Sequence, residues 1–235
     1  MKRIAGKKMW KDQGDCNVTG IRDYHVAPAN PENIVVGRLP FRFQWASETV
    51  DDLSRGSGFV PYRWLDIGSC NGEMAIIAAR KLLILNDPAN AHIKIKVDAV
   101  ESNKDIFKSL DATVKATNGT LSITPYNIHF EDFETDKQYS VVTAFEVLEH
   151  MRDPLFCIEK IYDLMEIGGL LMITVPEENG LLFGVQDHNP WHYWTSTIQS
   201  MVSVMFNDDK KWHIINIFEQ GGLIHAEIRK RVHTS

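Results

Sequence analysis

Three groups of residues in this chain have the types and spacing for chemistry. In "FEVLEHMRDP", Glu146, Glu149 and His150 are related by i, i+3 and i+4. On one helical turn they would face the same way. Two carboxylates and an imidazole suit a divalent-metal site or an acid–base site. A structural role competes, because acidic side chains favour a helix N-terminus and Asp153 followed by Pro154 is a good helix start. In "WLDIGSCNGE", a short apolar run meets a loop carrying Asp66, Gly68, Cys70 and Gly72. Glycines at such a turn let a ligand approach the backbone closely. In "DHNPWHYW", His188 and His192 stand among Trp191, Tyr193 and Trp194. Such aromatics wall a pocket, and the histidines are candidate bases.

The glycine loop selects among nucleotide-like ligands. A G-x-G-x-x-G fingerprint starting at Gly68 would need glycine at Cys70 and Glu73, so two of its three positions fail and a carboxylate would face the pyrophosphate. No G-K-[ST] follows, which excludes a P-loop. The pattern D-x-G-x-x-x-G remains, and Glu101 ends the next strand-like run, "VDAVE", where a carboxylate can accept from both hydroxyls of a ribose. Cys70 has no basic neighbour in the loop to activate its thiol. It reads as a packing substitution, accommodated provided its backbone avoids positive φ.

"LDIGSCNGE" resembles motif I of the class I S-adenosylmethionine-dependent methyltransferases, (E/D)-x-G-x-G-x-G, and departs from it at Cys70. "EVLEH" is similar to a phrase of the ubiquinone-pathway O-methyltransferases and of the small-RNA 2′-O-methyltransferases. The resemblance implies a Rossmann-like methyltransferase fold: α/β, a doubly wound, mostly parallel seven-stranded sheet with a C-terminal antiparallel hairpin and an N-terminal cap. It implies S-adenosylmethionine as cofactor, held by Asp66, Gly68, Cys70, Gly72, Glu101, Phe130, Glu131, Phe145 and Glu146. His129 takes the usual acidic slot after the third strand; Phe130 would flank the adenine, with Glu131 or Asp132 accepting from its amine. The small-RNA enzymes imply Mg²⁺ on Glu146, Glu149, His150 and His192. For an oxygen acceptor the candidate bases are His150, His188 and His192. The reading that follows is methyl transfer to a small-molecule acceptor, a hydroxyl oxygen. The alternatives are a metal-dependent RNA 2′-O-methyltransferase and a non-catalytic cofactor-binding module.

The elements that must position these residues are legible as alternating runs. Residues 1–61 differ in texture, with a loop-like "HVAPANPENIVVGRLP" and an amphipathic helix over "FRFQWASETVDDLSRG". They are expected to form a cap that shapes the acceptor pocket, with the main domain at 62–235. From Arg63, strand-like and helix-like runs alternate, the pattern of βαβ units in a parallel sheet. "KWHIINIFE" and "LIHAEIRK" flank a glycine pair and predict a closing hairpin. The net charge of −6 offers no global field for nucleic acid. Three scattered cysteines without CxxC argue against disulfides or zinc and for a reducing, cytoplasmic setting. The charged N-terminus is followed by no apolar stretch of secretory-signal type, and no run reaches membrane-spanning length.

Overall fold

The computed structural model describes residues 2–3, 27–34, 40–57, 61–85, 95–177 and 194–231. The sheet has seven strands in the order β4-β3-β2-β5-β6-β9-β8. These are β2 (Arg63–Ile67), β3 (Lys96–Glu101), β4 (Ser122–Asn127), β5 (Tyr139–Phe145), β6 (Met165–Pro176), β8 (Trp212–Gln220) and β9 (Leu223–Lys230). It is mostly parallel, with β9 antiparallel to both β6 and β8. Its order reverses between β2 and β5, and ligands of doubly wound sheets bind beyond the carboxyl ends of the strands at that switch. Two further short strands, β1 (Lys2–Arg3) and β7 (Trp194–Thr195), pair antiparallel with each other.

The chain divides into two compact units, His25–Val142 and Met1–Tyr24 with Thr143–Ser235. In the first, β2, β3 and β4 pair in parallel. The crossovers are α2 (Glu73–Leu85) and α3 (Lys104–Ala116). Met74 through Ala79 of α2 are all buried, so the helix is apolar around its circumference. A helix of that kind needs cover on both sides. It has the strands on one side and α1 (Phe41–Ser57), with Trp45, Ala46 and Val50 buried, on the other. Residues before α1 dock onto the same helices: Ala29 N–H donates to Thr113 Oγ1 at 2.8 Å, and the Arg80 guanidinium donates to the carbonyls of Pro31 and Ile34. Beside the strands, buried Asp98 accepts from Tyr139 Oη at 2.7 Å and from Lys137 Nζ at 2.8 Å.

In the second unit, α4 (Pro154–Leu164) starts as the sequence predicts. Asp153 caps it by accepting from the Leu155 and Phe156 N–H groups at 3.1 and 3.0 Å, with Pro154 in the first turn. The C-terminal hairpin also forms as expected. Gly221 and Gly222, at φ 64° and 79°, make its two-residue turn, a backbone that glycine adopts without strain. The run "TSTIQSMVSVMF" is only partly α-helical: α5 (Ile198–Ser200) passes into a π-helical turn over Met201–Met205.

Candidate active site

The glycine loop leaves β2 and enters α2 through a succession of left-handed residues: Gly68 (φ 72°), Cys70 (φ 50°) and Gly72 (φ 87°). The Gly68 and Ser69 N–H groups both donate to the Val100 carbonyl at 2.8 and 3.0 Å, tying the loop to β3. Asp66, only 3% exposed, accepts at its Oδ2 from the Ser69 hydroxyl at 2.8 Å. This bond braces the loop. A Cβ on Gly72 would lie 2.8 Å from Leu110 Cδ1 of α3, so this glycine also permits close helix packing.

Cys70 corrects one expectation. Its accommodation was tied to a backbone avoiding positive φ, yet the residue sits in the left-handed region. The loop imposes the conformation that glycine would adopt at the same place, and the side chain carries the strain. The surroundings of the thiol disfavour its ionised form. Burial, followed by the nearby Glu101 carboxylate, pushes its pKa up to about 11.

Glu101 lies at the end of β3 and is 5% exposed. Its Oε2 accepts from the Cys70 N–H at 3.1 Å and its Oε1 from the Asn103 N–H at 2.8 Å. One carboxylate thus clasps the glycine loop to the start of α3. Burial pushes it up to about 7, against the lowering effect of those two backbone bonds. Asn103 in turn caps α3, accepting from Asp105 and Ile106 N–H at 2.9 and 3.1 Å. Asn127 at the end of β4 donates to the Glu101 carbonyl at 2.9 Å. Ser69, Asn103 and Asn127 were missed by the sequence reading. An Asn two residues after a strand-end Glu, just before a helix-like run, was the available N-cap signal.

Beyond β4, Phe130, Glu131 and Asp132 form a 3-10 turn. Phe130 is buried with its ring 6.5 Å from that of Phe133; Glu131 is half-buried and Asp132 exposed. Of the two carboxylates, Glu131 is the less solvated.

In the second unit, Phe145 ends β5 and is 9% exposed. Glu146 follows at φ 55°, its N–H donating to the Thr174 carbonyl of β6 at 2.8 Å. Leu148–His150 then make a 3-10 turn. The expectation that Glu146, Glu149 and His150 share one α-helical turn is therefore corrected: Glu146 is left-handed and lies before the turn. Glu149 is buried, and its Oε1 is 4.0 Å from His150 Nε2. Among the described residues, no group of three or more His, Cys, Asp or Glu side chains is arranged to hold a metal ion. The described residues thus give no support for Mg²⁺. His188 and His192 lie outside the described residues.

Cys70 and Glu146 each hold a strained backbone directly after or near a strand's carboxyl end, one beyond β2 and one beyond β5. Strain of this kind collects at functional sites. A buried carboxylate outside the sequence reading is Glu177, 2% exposed, immediately after β6.

The family model that matches residues 40–214 describes a methyltransferase domain. A ubiquinone biosynthesis O-methyltransferase of Ruegeria pomeroyi is 30% identical over 137 residues, 58% of this chain and 50% of that protein. The chain thus spans about half the length of this curated relative. An S-adenosylmethionine-dependent methyltransferase from Clostridium acetobutylicum superposes with a TM-score of 0.62 at 8% identity, covering 83% of this chain and 94% of that one. The plantazolicin methyltransferase BamL, solved with a triazolic desmethylPZN analog and SAH, superposes with a TM-score of 0.62 at 11% identity, over 81% of this chain and 85% of that one. At these identities the two structures establish a shared fold.

Proposed function

We propose, for a chain that belongs to the methyltransferase domain family, that it transfers the methyl group of S-adenosylmethionine to the hydroxyl oxygen of a small molecule. The observation that carries this reading is the Glu101 clasp. A buried carboxylate holds the glycine loop by the Cys70 N–H and the start of α3 by the Asn103 N–H. The donor set suits the cofactor: no phosphate has to be met, so the carboxylates of Asp66, Glu73 and Glu101 favour its cationic groups and its ribose hydroxyls.

S-adenosylmethionine, when bound, supplies an already activated methyl group, so transfer is an in-line displacement. The protein's part is to hold, align and exclude water. Gly68, Cys70 and Gly72 shape the backbone cradle and Glu101 takes the ribose. Phe130 and Glu131 serve the adenine side; Phe145 and Glu146, at the end of β5, are the remaining cofactor candidates. His150, beside the buried Glu149 carboxylate, is the proposed base for the acceptor hydroxyl; His188 and His192 are the other two candidates. Residues 1–61 are proposed to shape the acceptor side, a role favoured by the pairing of β1 with β7.

The hydroxyl acceptor rests on the likeness to the ubiquinone biosynthesis O-methyltransferase. The small-molecule class, rather than nucleic acid, rests on the net charge of −6. Transfer of tritium from S-adenosyl-[methyl-³H]methionine to a panel of catechols, phenols and primary amines tests the reading. Label in phenolic or catecholic ethers is the expected result. Label confined to amines would overturn the oxygen assignment, and cofactor binding without turnover would favour a binding module.

A further inference from the structure

We propose that Glu177 receives the acceptor: its carboxylate takes the hydrogen-bond donor of the small molecule to be methylated. The inference rests on the methyl-transfer reading above and adds to it the residue that recognises the substrate.

Glu177 directly follows β6, at the carboxyl end of a sheet strand, where ligands of this fold class sit. Its backbone is fixed. The N–H donates to the Gly222 carbonyl at 3.0 Å in the hairpin turn, and the residue bridges in parallel to Ser196. The side chain is 2% exposed, and Oε1 is buried with no hydrogen-bond partner among the described residues. Carboxylates are almost never fully buried unless paired. The fold does not require one here. Val175, two residues earlier and on the same side of the strand, is part of the apolar core, and another apolar side chain would continue that row. A buried oxygen kept without a donor is explained when a ligand brings the donor.

The kind of ligand follows from the group. A carboxylate accepts; it does not donate unless protonated. It therefore selects a molecule carrying a hydroxyl or a protonated amine. The cofactor's ribose already has Glu101 on β3, whereas Glu177 belongs to β6. Ser196 bridges Glu177 and follows β7, whose Trp194 and Thr195 pair with Arg3 and Lys2. The backbone beside Glu177 is thus tied through Ser196 to the β1–β7 pair.

The test compares full-length wild type with Glu177→Met and Glu177→Gln. S-adenosylhomocysteine affinity should stay within about twofold in both variants. The free Glu177→Met protein should unfold about 2 °C or more above wild type, because the unpartnered Oε1 has gone. Methyl transfer to catechol or tyramine should fall at least about tenfold, chiefly through KM, because a hydrogen bond to a charged group is lost. Loss with catechol alone identifies a hydroxyl donor and loss with tyramine alone an amine; each supports the assignment. Unchanged KM and kcat overturns it. If neither probe is methylated by wild type, the unfolding temperature of Glu177→Met decides: higher supports the assignment, equal or lower overturns it. Failure of the wild type to bind S-adenosylhomocysteine sinks the methyl-transfer reading itself. Bound S-adenosylhomocysteine with a destabilised Glu177→Met sinks only the role of Glu177.

Discussion

Cys70→Gly is expected to stabilise the free protein without tightening cofactor binding. Cys70 holds φ 50°, a conformation that costs an L-residue roughly 1–2 kcal/mol and glycine almost nothing. The greater freedom of glycine in the unfolded chain offsets roughly 0.5–1 kcal/mol of that relief. The net gain is about 0.5–1 kcal/mol, which for a domain of this size raises the melting temperature by roughly 1–4 °C. The bond to Glu101 Oε2, at 3.1 Å, is made by the backbone N–H, which glycine retains. The strain is the same with or without ligand, so Kd for S-adenosylhomocysteine should move by less than about twofold. Cys70→Val should act in the opposite sense, because a β-branched residue at positive φ is a genuine outlier. Scanning calorimetry of the three proteins, paired with titration calorimetry, reads both effects. A glycine variant melting at or below wild type, or a valine variant at or above it, would refute the strain argument.

Three further expectations follow from the same geometry. Burial pushes Glu101 up to about 7, so between its ordinary value of 4.5 and that point the folded protein holds a proton that the unfolded chain has released. This group therefore makes stability fall as pH rises through that window. Because ribose hydroxyls favour the ionised carboxylate, S-adenosylhomocysteine affinity should rise between about pH 6 and 8, and titrations of Glu101→Gln should be flat over that range. Gly72→Ala places a Cβ 2.8 Å from Leu110 Cδ1 at φ 87°; a cost of about 1–3 kcal/mol should appear as a lower midpoint in urea. Asp98→Asn breaks a buried set in which Lys137 Nζ donates to Asp98 at 2.8 Å and Tyr139 Oη at 2.7 Å; the loss is about 2–4 kcal/mol of stability by chemical denaturation, with cofactor affinity unchanged.

The alternation of apolar runs from Arg63 was enough to place the strands and helices of the sheet, because buried parallel strands and their crossover helices differ in length and period. The glycine pair at 221–222 and the Asp153–Pro154 start were legible for the same local reason: each is a residue type demanded by one backbone geometry. The EVLEH turn was not. Its i, i+3, i+4 spacing assumes an α-helical turn, but leaving β5 with a bond to Thr174 forces Glu146 into the left-handed region. Cys70 misled in the same way, since nothing in a residue's type reports the φ its neighbours impose. Glu177 escaped notice because burial of a single carboxylate after a strand depends on what packs over it, which no local pattern encodes.

The central claim is that the glycine loop and Glu101 together hold S-adenosylmethionine. Titration calorimetry with S-adenosylhomocysteine on wild type and Glu101→Ala tests it most directly. Saturable one-to-one binding by wild type is expected, with a weakening of at least about tenfold in the variant from the loss of charge-assisted hydrogen bonds. Absence of binding by wild type at about millimolar ligand, or equal affinity in the two proteins, would contradict it.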